Sequence, residues 1–276
     1  MALSRQLLFR SAIWEIARPR HPLTAGHLVV RLSDPSTEFG EASAADWLLC
    51  HNLARAALQD VLGVVRCAVM FAHRWHPLGS ALGEPVAESS TPTFHLFGRW
   101  ASETTTPGRQ LALPAHRRLA EPEETLERVD SELRESLRFF AEGPFLPEQP
   151  SAVHHPRTQP PPGVPFAPGP GAGVVRARTL VPLVAAVDAS RHHSVIEPAS
   201  GAASIAGLLP GELVAMAASL GALPLTSGLS GFSCVAVEGE RAGSAVRIHA
   251  VGRSGAEDGS PLLDVFRLPE VSLALL

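Results

Sequence analysis

The sequence predicts a mixed fold of helices and strands built twice within one chain, and three observations carry that reading. The phrase Phe94-His95-Leu96-Phe97-Gly98-Arg99 in the first half is answered by Ile248-His249-Ala250-Val251-Gly252-Arg253 in the second. Upstream of each lies an apolar run led by histidine, His27-Leu28-Val29-Val30 and His193-Ser194-Val195-Ile196. Superposing His27 on His193 also superposes Arg10 on Arg176 and Asp46 on Glu212, and a slip of one residue puts Cys67 on Cys234. Order and spacing are kept together, which chance does not readily produce.

The elements of the first half follow from local pattern. The first half opens with Ile13-Trp14-Glu15-Ile16 before Pro19 and Pro22 break the pattern, and Gly26 leads into residues 27–32, short, branched and apolar as a buried strand is. Asp34-Pro35-Ser36 and Gly40 mark a loop. Residues 44–62 form an amphipathic helix with Trp47, Leu48, Leu53, Ala57, Leu58 and Val61 on its apolar side. Residues 64–71 and 93–100 are strands, separated by a loop of about 20 residues rich in Gly, Pro and Ser. Loops of that length are commonly functional. Residues 121–142 add a charged helix striped by Leu126, Val129, Leu133, Leu137 and Phe140.

The second half repeats this order: strands at 179–187, 194–196, 232–237 and 245–251, with a helix at 210–220. Its loop before the last strand, 238–243, is much shorter, so the two halves are not equivalent around their histidines. Proline and glycine dominate the stretch between them, which reads as an extended linker. The division expected is therefore 1–143, a linker over 144–173, and 174–276.

Composition narrows the function. A net charge of −4 over 276 residues offers no surface for a nucleic-acid polymer. Every basic residue is Arg, which removes lysine Schiff bases and lysine phosphate clamps, and the Ala-, Pro- and Arg-rich usage suggests a bacterial chain. Cys50, Cys67 and Cys234 are odd in number and widely spaced, so neither a disulfide framework nor a thiolate metal site follows. Arg5, Arg10 and Glu15 make the N-terminus a poor secretory signal, and Pro210, Glu212 and Pro224 interrupt the most apolar stretch. A cytoplasmic protein without a membrane span is expected.

The Gly26-His27-apolar strand, the helix, the next strand and the histidine strand ending at Arg99 resemble the histidine-triad superfamily. Two such copies resemble its galactose-1-phosphate uridylyltransferase branch, and the likeness covers most of residues 9–100 and 175–254. The resemblance implies an α+β fold: two antiparallel-sheet units forming an intrachain pseudo-dimer. It further implies a nucleotide or sugar-phosphate ligand, and attack on an α-phosphate by the central histidine of a His-x-His-x-His strand. Here the three positions are Thr91, Thr93 and His95 in one copy and Ala245, Arg247 and His249 in the other. The nucleophile is thus a threonine and an arginine, and the covalent nucleotidyl-histidine route is lost.

The residues that remain define candidates. His95 as base or phosphate ligand, His27 as its partner and Thr93 as hydroxyl donor would carry any catalysis, as hydrolysis, transfer or elimination. The alternative is that both histidines are satisfied core residues. Arg247, His249 and His193, with Arg99 in the first copy, would bind an anion, unless Arg247 simply points outward. His73 and His76 in the long loop, beside Trp75, are weak metal candidates in an unrecognised spacing; no cofactor is expected. His51 and His116 read as solvated or capping residues. Two functions therefore stand: binding or conversion of a phosphate-bearing small molecule, or a pseudoenzyme that binds a ligand or partner protein without turnover. A polar pocket around His27, Thr93 and His95 would favour the first, and one filled with Leu and Phe the second. The halves are expected to pair within the chain, with further homo-oligomerisation left open.

Overall fold

The protein is described from a computed structural model, which covers residues 6–76, 81–88, 92–143, 176–179, 192–225, 228–238, 244–255, 257 and 259–276. The expected linker and residues 180–187 of the expected 179–187 strand lie outside these. Among the described residues nine strands form one antiparallel sheet: β1 (Gln6–Arg10), β2 (Trp14–Arg18), β3 (His27–Leu32), β4 (Arg66–His73), β5 (Thr93–Arg99), β6 (Arg176–Thr179), β7 (His193–Glu197), β8 (Gly231–Val237) and β9 (Arg247–Arg253). Their order across the sheet is β1-β2-β3-β5-β4-β8-β9-β7-β6, so the halves meet edge to edge where β4 pairs with β8.

That order is mirrored about its centre, and the register shows how closely. Val29 pairs with His95 as Val195 pairs with His249, and His27 faces Phe97 as His193 faces Val251. The other neighbour of His95 is Met70 and that of His249 is Val235, and Met70 and Val235 pair with each other at the centre. This register corrects two of the sequence superpositions. Cys67 pairs with Gly98, whereas Phe232 pairs with Gly252, so the counterpart of Cys67 is Phe232 and not Cys234. Arg176 faces Glu197 as Glu15 faces Arg31, so Arg10, one strand further out, is not its counterpart. Matching identities had slipped past the period-2 geometry that decides which residue faces which.

The helices are α1 (Glu41–Leu62), α2 (Pro107–Leu111), α3 (Glu123–Glu142), α4 (Pro210–Gly221), α5 (Leu262–Val265) and α6 (Pro269–Leu275). Ser43 Oγ accepts the Gly40 N–H at the start of α1, and Gly63 closes it in the left-handed region at φ 68° with its N–H on Gln59 O. α1, α3 and α4 cover one face of the sheet, where Trp14, Leu28, Leu58, Val69, Leu133 and Phe232 share a core. Met70, Phe97, Val235 and Val251 point to the other face, under Leu262, Phe266, Val271 and Leu275 of the chain's C-terminal segment. Successive strand residues alternate between these two cores. Among the described residues no helix is long and apolar enough to cross a membrane.

Candidate functional site

Adjacent strands place His27 opposite the residue two beyond His95, which brings the two rings together: His27 Nε2 lies 3.0 Å from His95 Nδ1. His27 Nδ1 accepts the Leu23 N–H at 3.1 Å, so its proton sits on Nε2 and is donated to His95. His95 is left with its proton on Nε2. His27 is 1% exposed and His95 7%, and burial holds His95 neutral, its pKa down to about 3; that of His27 also lies well below the usual value, from burial and then its neighbour.

Arg18 fixes the turn that delivers His27. Its Nη1 donates to Ala25 O and His27 O, both at 2.7 Å, and its Nη2 lies 2.7 Å from Asp130 on α3. The motif glycines act at the same place. The Gly98 N–H donates to Gly26 O, and a Cβ on Gly26 would come within 2.9 Å of Gly98 O, so only glycine lets the strands approach here.

The second pair reproduces the first. His193 Nε2 lies 3.2 Å from His249 Nδ1, and burial again holds His249 down to about 3. Its surroundings differ. Arg247 is bound by Glu197 at 2.8 Å and by Glu270 of α6 at 3.5 Å, and Glu270 stands 3.8 Å from His249 Nε2. The positive charge expected to hold an anion is therefore already shared between two carboxylates. Arg99 likewise ends β5 paired with Glu103, as Arg253 ends β9 paired with Glu257.

The C-terminal segment and the long loop close over the histidine-bearing face. α6 lies against β4, β5 and β8, and the sequence carried no reading of this segment. Glu84 from the loop is buried against Ser233 and Arg253 of the second half, and Trp75 stacks 5.0 Å from the Arg253 guanidinium. Burial lifts the Glu84 carboxyl to about 7 against the pull of Arg253. Loop length alone flagged this region, and nothing in its composition pointed to Arg253.

Thr93 shares the face of His95, and both line a cavity of about 1000 Å³ that runs round the ends of β4 and β5 to the space between α1 and α4. His73, Trp75 and His76 line it too. Among the described residues no three His, Cys, Asp or Glu side chains gather to hold a metal ion, so His73 and His76 find no third ligand. His51 is 1% exposed and stacked on Trp47, not solvated, because it sits on the inner side of α1. His116 is exposed.

No family model and no curated protein matches the chain. Among solved structures it is similar to a hypothetical histidine triad nucleotide-binding protein from Sulfolobus tokodaii strain7, at 13% identity and TM-score 0.35, covering 50% of this chain and 87% of that one. It is also similar to a Hit-like protein involved in cell-cycle regulation from Bartonella henselae, at 13% identity and TM-score 0.33, covering 49% of this chain and 88% of that one.

Proposed function

We propose that this chain is a ligand-binding protein without turnover: two histidine-triad-like units joined as an intrachain pseudo-dimer, whose histidine pairs hold the fold. One observation carries the reading, namely that apolar side chains of the chain's own C-terminal helices pack on the histidine-bearing face. The chemistry agrees with it. Thr93 and Arg247 stand where a nucleophilic imidazole would be needed, and an imidazole held near pKa 3, as His95 and His249 are, is a weak base at neutral pH.

A second reading keeps one specific observation. His95 still reaches the cavity with Nε2 as its unengaged nitrogen, and Thr93 lines the same space, so a nucleotide or sugar-phosphate converted in the first half would meet these two groups. The test sets wild type and His95→Asn against nucleoside phosphoramidates and sugar nucleotides, following product release and intact protein mass. The non-catalytic reading expects neither product nor adduct. Product formation by wild type that His95→Asn abolishes overturns it in favour of conversion at His95.

A further inference from the structure

The cavity joins the two halves: it touches His95 and Thr93 at one end, and most of its lining lies on the side of the sheet that α1 and α4 cover. Its walls are aromatic on the side of the first half, with Trp14, Trp47, Phe71 and Phe94, and aliphatic on the side of the second, with Leu213 and Met216 of α4. A space of about 1000 Å³ matches a drug-sized molecule, and a dense core would not leave it.

Among the described residues three ring nitrogens on this lining have no partner: Trp47 Nε1, Trp75 Nε1 and His73 Nε2. Trp47 is 4% exposed, so its indole N–H is withdrawn from bulk water without an acceptor. An indole nitrogen can only donate, and a buried donor left unpaired is costly. The unmet demand is therefore for acceptor oxygens within an apolar enclosure. Arg74 at the rim is exposed and makes no ion pair among the described residues, which suits an anionic oxygen at the open end.

We infer that this cavity binds an apolar, ring-bearing small molecule carrying carbonyl or carboxylate oxygens, its rings against Trp47 and Phe94 and its oxygens on the indole donors. This rests on the reading of the chain as a ligand-binding protein and names the class of ligand. Nucleotide phosphates suit the site poorly, because among the described residues Arg74 is the one arginine on a lining that also carries Glu84 and Glu88.

The test titrates the full chain with 2-naphthoate and with 1-anilinonaphthalene-8-sulfonate, both aromatic acids, following tryptophan emission and melting temperature. One saturable site per chain is expected, with quenched emission, since three of the four tryptophans line the cavity. Ala217→Trp fills the space from α4 and is expected to weaken binding at least tenfold, with the melting temperature held or raised. Trp47→Phe keeps the ring and removes the donor, and is expected to weaken binding about tenfold, the worth of one hydrogen bond to a buried group. If Ala217→Trp does not fold, Trp47→Phe decides alone. Non-saturable binding, or unchanged affinity in the folded variants, overturns the inference. Nucleotide turnover in the preceding assay would sink the non-catalytic reading instead, and would leave these titrations as they stand.

Discussion

Among the described residues four imidazoles are buried in the neutral form: His27, His51, His95 and His249, with His51 held down to about 4 and His95 and His249 to about 3. Once unfolded they take protons near their ordinary value of 6.5. Their contribution is fully present above pH 6.5 and is lost as pH falls from there toward 3, because the unfolded chain binds more protons across that window. Glu84 opposes them, since a carboxyl raised to about 7 makes the fold more favourable as acid is added. Burial raises Glu103 and Glu238 as well and lowers His73 and His193, so three carboxyls stand against six imidazoles and the sign is not reversed. Thermal melts from pH 8 to pH 4 should therefore fall steeply below about 6.5, and a flat profile would refute the neutral assignment. Arg18 and Asp130 make the second prediction. Asp130→Ala strands a buried guanidinium and should cost about 3–5 kcal/mol in denaturant unfolding. The histidines were legible because they recur in a repeated phrase. Arg18 and Asp130 were not, being 112 residues apart, although a carboxylate beside Val129 and Leu133 on an apolar stripe was a signal available to be read.

Among the elements, long periodic segments were legible and short terminal ones were not. The 44–62 helix is α1 with three residues added at its start, the 121–142 helix is α3, and the 27–32 strand is β3 to the residue. β1 and α6, with five and seven residues, are too short to show a period against background. Missing α6 meant missing what lies on the histidine-bearing face, so the candidate site looked more open from sequence than it is. Val271 of α6 is fully buried there. Val271→Asp should cost about 3 kcal/mol or more, since a charge cannot stay ionised in that core without a partner. Urea titration of the variant beside Val271→Ala separates the effect of charge from that of lost volume, and equal losses would mean that α6 packs loosely.

At the scale of the molecule, the edge-to-edge join at β4 and β8 makes the two halves share one sheet and both of the cores that cover it. Tryptophan emission reports mainly on the first half, which holds all four tryptophans, and far-ultraviolet dichroism reports on both. The two probes should give one coincident unfolding transition; separate midpoints would mean that the join is weak. The register at the join has a further consequence. Were two identical chains to meet there, each axial position would face its own copy, and any change would appear on both sides at once. Met70 instead faces Val235, two different residues encoded separately. Each side of the axis is free to vary by itself, so an aromatic wall can stand opposite an aliphatic one and a single asymmetric chamber can replace two equivalent ones.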